Sequence, residues 1–242
     1  MSVPIFFFAQ TNLRSQTNLR YVLGQSTMQA RGILVCLAVF SIFAWYTMIF
    51  KGLQMNRAKK LNQDFDSAFR GQKGVLGIFD RQLQVSGCPF FAVYQEGCAE
   101  LDARLKTGPG ALRKSHITLK GMEHVKRTLE GAVARESLKL ESGLILLAIA
   151  VSGAPFLGLL GTVWGVMETF ARVAIDQTAD LTSMAPGVSA ALITTVAGLL
   201  VAIPSMFAYN WLVHTLRVRT VELDNFAQDL VSKMETEYLK EE

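Results

Sequence analysis

Charge is what this sequence has little of: Asp, Glu, Lys and Arg make up 18% of its 242 residues, while 50% are hydrophobic. Soluble domains carry about 25% charged residues, so the deficit raises the question of solvent before that of fold. Cysteine is sparse as well. Of the three cysteines, Cys36 falls in an apolar run, and Cys88 and Cys98 fall in a segment expected to face the reducing cytoplasm. Free thiols are expected, not a disulfide framework. His116, His124 and His214 lack metal-ligand spacing, so neither a metal site nor any other cofactor is expected. Paired carboxylates and a nucleophile beside a base are also missing, and the chain is not read as an enzyme. The net charge of +4 comes from basic residues interleaved with acids, which excludes a nucleic-acid partner.

Three stretches hold no Asp, Glu, Lys or Arg at all: between Arg31 and Lys51, between Glu141 and Glu168, and between Asp180 and Arg217. A helix needs about 20 apolar residues to cross a bilayer core about 30 Å thick, and all three are long enough. The opening MSVPIFFFAQ has too short an apolar run, with no basic residue before it, to be a secretory signal; the first stretch is expected to be an uncleaved anchor. The fold class is therefore an all-α polytopic membrane protein. Its expected order is an outer N-terminal tail (1–31), a first span (32–50), a cytoplasmic helical domain (51–141), a second span (142–167), a short outer loop (168–182), a third span (183–213) and a cytoplasmic C-terminal helix (214–242). Basic residues set this orientation: 16 of the 24 lie between Lys51 and Glu141, only Arg172 lies between spans two and three, and three lie in the N-terminal tail.

Outside the membrane, LNQDFDSAFRG and GIFDRQLQV read as short amphipathic helices, and KTGPG at 106–110 reads as a break. A TNLR echo at 11–14 and 17–20 matches no repeat architecture. Beyond the break, Met122, Val125, Leu129, Ala132, Glu136 and Leu140 recur at helical spacing, and no proline intervenes before Pro155. This predicts one helix from about Ser115 to about Phe170. Leu223, Phe226, Leu230, Met234 and Tyr238 continue an apolar stripe past span three. Helices two and three are thus expected to extend into a cytoplasmic helical bundle.

Within the spans, small residues fall in stripes. On span two Ala154, Gly158, Gly161 with Thr162, Gly165 and Thr169 share one face, with Pro155 beside them. On span three Gly187, Ala191, Thr194 with Thr195, Gly198 and Ala202 do the same. Such stripes let helix backbones approach closely in lipid. Ser189 adds another hydroxyl, Pro186 lies near the start of the span, and Pro204 removes the bond to the carbonyl of Leu200. In antiparallel helices Thr162 and Thr195 reach the same depth. Packing alone explains membrane threonines in many cases, at about 1 kcal/mol each. In the outer loop Glu168, Asp176 and Asp180 outweigh Arg172, and acids there attract cations to a pore mouth or are simply solvated.

GLLGTVWGVMETF at 158–170, APGVSAALITTVAGLLVAIPSMFAYN at 185–210 and WYTMIFKGLQMNRAKKLNQDFDSAF at 45–69 together resemble the MotA/TolQ/ExbB family of ion-driven motor subunits, and the ExbB and TolQ branch more than the flagellar stators. The likeness extends over about residues 32–235. It implies a subunit of the bacterial inner membrane with its outer side in the periplasm. Such subunits form a ring, usually a pentamer, around the helices of a single-span partner of the ExbD or TolR kind. The partner carries a proton-bearing aspartate, and proton passage drives a periplasm-spanning transducer of the TonB or TolA kind. Thr162 and Thr195 match the family's pore-facing threonines, with Thr194 and Ser189 beside them; Ala154, Pro155, Gly158, Gly161, Gly165, Pro186, Gly187, Ala191, Gly198 and Pro204 would serve packing and partner contact. Relatives often read APGIAEAL where this chain has APGVSAAL, which puts the family's glutamate at Ala190. A second reading from another class is a membrane scaffold that assembles a partner complex without conducting ions.

Overall fold

A computed structural model describes residues 28–72, 74–106, 113–177 and 181–239. The N-terminal tail up to residue 27, with its TNLR echo, and Asp180 lie outside the described residues. So does the KTGPG break beyond Lys106. Among the described residues six helices follow one another: α1 (Met28–Arg70), α2 (Gly77–Asp80), α3 (Pro89–Leu105), α4 (Leu119–Glu141), α5 (Leu144–Asp176) and α6 (Leu181–Tyr238). No strand occurs among them, and a single parallel bridge pairs Ile117 with Leu239. They form two compact units. The first takes in the chain up to Met48 together with Gly143–Tyr209, and the second takes in Ile49–Ser142 and the chain from Asn210 onward.

In the first unit the uncharged runs are helical, and the helices they belong to, Met28–Arg70, Leu144–Asp176 and Met184–Tyr238, are long and apolar enough to cross a membrane. Their large side chains point outward: Ile42 and Phe43 of α1, Phe156 and Val163 of α5, and Leu200 and Phe207 of α6 are all exposed. The inside is made of small residues instead, with Ala154, Ala191 and Ala202 buried. Water would penalise that inversion, whereas lipid tails solvate apolar side chains and leave close backbone packing to hold the helices. Leu37 of α1 completes a buried cluster with Ala154 and Ala202, against which Ile33, Leu157, Ala197 and Val201 pack.

Helix α5 continues to Asp176 and stops where Gln177 turns left-handed, at φ 52°. Residues 168–176, expected in a loop, are therefore helical. Their charges suggest water, but two local features support the helix. Thr169 is buried and donates its hydroxyl to the Gly165 carbonyl at 2.8 Å, and Arg172 pairs with Glu168 at 2.9 Å one turn earlier.

The second unit is held by aromatic rings. Phe65 and Phe69 of α1 meet Phe91 and Tyr94 of α3, and Phe226 of α6 stacks on Phe90 with centroids 4.4 Å apart. Tyr94 donates to the Val75 carbonyl at 2.6 Å and accepts from the Phe79 amide at 3.0 Å, which pins the short α2 segment to the core. Helix α3 was not expected as an element. Its N-cap is Cys88, whose sulfur accepts from the Phe91 amide, and Pro89 opens the first turn. Asn62 of α1, buried, accepts from the Phe90 amide at 3.2 Å. LNQDFDSAFRG at 61–71, expected as a separate short helix, forms the last turns of α1 up to Arg70; only residues 77–80 of GIFDRQLQV are helical, and Gln82 beyond them takes a left-handed φ of 49°.

The helix predicted across 115–170 is two helices. Helix α4 starts at Leu119, capped by the Thr118 hydroxyl, and stops at Glu141. Ser142 leaves helical geometry with ψ 136° and Gly143 adopts φ 84°, a conformation open to glycine at little cost. The freed carbonyls find donors: the Ser142 hydroxyl bonds Lys139 O at 2.7 Å, and buried Lys51 reaches Leu140 O at 3.3 Å. Periodicity continued across the break, so hydrophobic spacing alone did not reveal it.

Candidate functional site in the paired helices

The two small-residue stripes face each other. A Cβ built on Gly161 would overlap Thr194, and one on Gly187 would overlap Thr169. A Cβ on Gly165 would come within 2.7 Å of the Ala191 Cβ, and one on Gly198 within 2.6 Å of the Ala154 carbonyl oxygen. The pairing of 154 with 198, 161 with 194, 165 with 191 and 169 with 187 runs antiparallel, and from 161 with 194 onward each step advances about one turn on each helix. At Gly158 the approach is backbone to backbone, since an added Cβ would lie 3.0 Å from both Thr194 O and Thr195 Cα. Glycine is required there by close approach.

One flank of this contact carries hydroxyls. Thr195 lies 3.3 Å from the Thr162 hydroxyl oxygen and 3.1 Å from the Gly158 carbonyl, so its proton has a choice of two acceptors. Thr162 donates to Leu159 O at 2.7 Å, which leaves its oxygen lone pairs to accept. Both side chains are half-buried, open along one edge of the helix pair. The expected meeting of these two threonines at one depth is seen directly.

Thr194 and Ser189 differ from that picture. Thr194 is fully buried beneath Gly161 and donates to the Ala191 carbonyl at 2.6 Å. Burial within one chain is not undone by adding subunits, so this hydroxyl packs the helix pair and does not line an open surface. Ser189 is exposed but lies two residues from both Gly187 and Ala191, on the face of α6 turned away from α5. The structure does not bring it to Thr162. Ala190 is buried, with 7% of its surface exposed.

The prolines interrupt both helices from inside. Pro155 cannot bond Val151 O, and Pro204 cannot bond Leu200 O. Next to Pro204, buried Ser205 donates its hydroxyl to Val201 O at 2.7 Å, a support that the small-residue stripe gave no sign of. From Met184 to Tyr209, α6 has no Asp, Glu, Lys or Arg. The acid within the helix pair is on α5: Glu168, whose Oε1 accepts from Arg172 at 2.9 Å, while its Oε2 is buried with no hydrogen-bond partner among the described residues. Asp176 is exposed at the last turn of α5.

The cysteines are free, and Cys88 and Cys98 are buried in the second unit. Burial pushes the Cys98 thiol up to about 12 and moves Cys88 upward as well. Neither is a nucleophile at neutral pH. Among the described residues no group of His, Cys, Asp and Glu has the arrangement of a metal site.

Long apolar helices, outward-facing large side chains and glycine-mediated backbone contact define a polytopic all-α membrane protein. Comparison with known proteins carries this further. Residues 101–225 match the model of the MotA/TolQ/ExbB proton channel family. The chain is 32% identical to the Tol-Pal system protein TolQ of Pseudomonas aeruginosa over 204 residues, covering 83% of this chain and 85% of that protein. It is 33% identical over 199 residues to the biopolymer transport protein ExbB of Xanthomonas campestris pv. campestris, covering 82% and 78%. ExbB of Neisseria meningitidis is 26% identical over 215 residues, covering 88% and 95%. The chain belongs to the MotA/TolQ/ExbB proton channel family.

Proposed function

We propose that this chain is the ring-forming subunit, as a pentamer, of an inner-membrane proton channel and motor. Its partner is an ExbD- or TolR-like single-span protein whose aspartate carries the proton, and the complex energises a TonB- or TolA-like transducer for outer-membrane transport or envelope maintenance. The N-terminus lies in the periplasm, while the second unit and the C-terminus lie in the cytoplasm. The observation that carries this reading is the Thr162–Thr195 hydroxyl pair, 3.3 Å apart and half-buried on one flank of a close-packed helix pair. A hydroxyl both donates and accepts, so the pair relays a proton or solvates a partner carboxylate inside lipid. With alanine at position 190, α6 contributes hydroxyls to this path and the titrating aspartate comes from the partner helix.

The remaining residues divide by their surroundings. Gly158, Gly161, Gly165, Gly187, Ala191, Gly198, Ala154 and Thr194 fix the helix pair, and Pro155, Pro186 and Pro204 shape it. Each proton crossing 100 mV releases about 2.3 kcal/mol, so substantial work on the transducer takes several protons.

The test is reconstitution of the subunit with its single-span partner in liposomes, with proton flux as the readout. Wild type conducts, Thr162→Ser with Thr195→Ser retains flux, and Thr162→Val with Thr195→Val loses it while the complex still assembles. A wild-type complex that passes no protons, or a valine variant that passes as many, overturns the proposal.

A further inference from the structure

The second unit holds a polar cavity of about 730 Å³, within the size range of small-molecule sites, to which α5 and α6 contribute nothing. Its walls come from α1, the turn between α2 and α3, the start of α3 and the last turns of α4. Three of its side chains are charged: Arg57 of α1, and Glu136 and Lys139 of α4. Glu136 is buried and accepts from Lys139 at 2.6 Å, which holds the ammonium at the cavity wall. Arg57 is exposed, and its guanidinium meets no hydrogen-bond or ion-pair partner among the described residues. Two positive charges against one negative leave the cavity with a single excess positive charge. That balances a phosphodiester, which carries one negative charge, better than a phosphate monoester, which carries about two. The side-chain amides of Gln54, Gln84 and Gln95, also in the wall, both donate and accept, as hydroxyls beside such a phosphate require.

Location narrows the source of the phosphodiester. Helix α1 runs unbroken out of the apolar stretch that ends at Phe50, so Gln54 and Arg57 follow that stretch by about one and two turns. Lys139 and Leu140, at the other wall, come just before Gly143, which opens the helix of the second apolar stretch. Beside the cavity, three bordering segments each expose a leucine: Leu53 next to Gln54 is 65% exposed, Leu83 next to Gln84 is 54% exposed, and Leu138 next to Lys139 is 64% exposed. Apolar area left in water costs roughly 25 cal/mol per Å². A soluble anion uses the charges and leaves the leucines bare, whereas a lipid brings glycerol and acyl carbons to cover them.

We propose that this cavity binds the phosphodiester headgroup of an anionic phospholipid. Arg57 and Lys139 donate to the phosphate oxygens, the planar guanidinium supplying direction and the ammonium supplying charge. The glutamine amides take the headgroup hydroxyls, and Glu136 disfavours a second negative charge. A bound headgroup bridges α1 to α4 close to the bond from Lys51 to the Leu140 carbonyl. The inference rests on the membrane-spanning helices and not on ion conduction.

The test uses the full chain, purified in a nonionic detergent and titrated with dioleoylphosphatidylglycerol, dioleoylphosphatidylcholine or water-soluble glycerophosphoglycerol, with bound lipid counted by native mass spectrometry. Phosphatidylglycerol is expected to bind about tenfold more tightly than phosphatidylcholine, the worth of one charged hydrogen bond, and equimolar glycerophosphoglycerol should not displace it. Arg57→Gln with Lys139→Gln abolishes the preference, while Lys60→Gln, exposed on α1 outside the cavity, keeps it. Equal binding of the two lipids, or an unchanged preference in the double variant, overturns the proposal. A loss in Lys60→Gln as large as in the double variant marks diffuse attraction to basic surface and overturns it too. Displacement by glycerophosphoglycerol assigns the cavity to a soluble phosphodiester and sinks the lipid assignment. A second measurement needs no variant: the wild-type chain in nanodiscs is irradiated with phosphatidylglycerol carrying a diazirine on its headgroup. Crosslinks are expected within residues 84–95, and crosslinks confined to the membrane spans overturn the proposal.

Discussion

Thr194 lies directly beneath Gly161, and its methyl and hydroxyl fill the space where any larger residue would put a Cβ. The contact is side chain against missing side chain, so its cost on substitution is predictable. Gly161→Ala forces Thr194 aside in a pair with little freedom to move, and overpacking of this kind costs about 1–3 kcal/mol. Gly153 on the same helix meets nothing within 4 Å, and Gly153→Ala is expected to leave stability unchanged or slightly improved. Thermal unfolding of the full chain in nanodiscs distinguishes the two. Thr194→Ala in the Gly161→Ala background recovers part of the loss, with a coupling of about 0.5–3 kcal/mol.

The break between α4 and α5 makes a second prediction. Gly143 holds φ 84°, and Lys51 supplies a donor to Leu140 O at 3.3 Å. Gly143→Ala places a Cβ in a left-handed backbone and costs about 1–2 kcal/mol. Lys51→Met keeps the bulk of the side chain but leaves the Leu140 carbonyl without this donor, at about 1–3 kcal/mol. Both variants should unfold at lower denaturant concentration than wild type, and Lys51→Arg should retain part of the difference.

These two sites mark what was legible in the sequence and what was not. The spans, the stripes and the meeting of Thr162 with Thr195 follow from spacing, because a helix period converts residue number directly into face and depth. The Ser142–Gly143 break was hidden because apolar spacing carries across it, and one glycine in a helical pattern does not reveal its φ. Lys51 read only as a charge after an apolar run; its burial depends on α4, far away in sequence. Thr194 and Thr195 are adjacent letters, yet a rotation of 100° buries one and leaves the other at an open edge.

Cys88 and Cys98 provide a check on the second unit. Both thiols are buried and shifted upward by burial. Neither should react with a water-soluble maleimide in the folded chain at pH 7.5, and both should react in denaturant. Asn62→Ala removes the acceptor that the Cys88 thiol meets at 3.4 Å and the Phe90 amide at 3.2 Å. It should cost about 1–3 kcal/mol by leaving buried donors unpaired and should speed labelling of Cys88.

Acid should weaken the second unit through Arg113. Its guanidinium donates to both oxygens of Asp80, at 2.5 and 2.8 Å, and through Nε to Asp102 at 2.5 Å, while Lys106 donates to Asp102 at 2.6 Å. The hydrogen bond from Arg113 holds the Asp80 carboxyl below its ordinary value. At Asp102 burial pulls upward, but the bonds from Lys106 and Arg113 outweigh it and the carboxyl also titrates low. A carboxyl whose folded pKa is depressed binds protons more readily in the unfolded chain. Its stabilising share is therefore present above the unfolded value of about 3.9, and is lost as pH falls through the lower folded value. Asp80 is half exposed, so solvent screening keeps its pair with Arg113 to less than about 1 kcal/mol. Asp80→Asn with Asp102→Asn should lower stability at pH 7 and flatten the decline between about pH 5 and pH 3, measured by chemical denaturation at each pH. An acid limb as steep in the double variant as in wild type would place the sensitive carboxylates elsewhere.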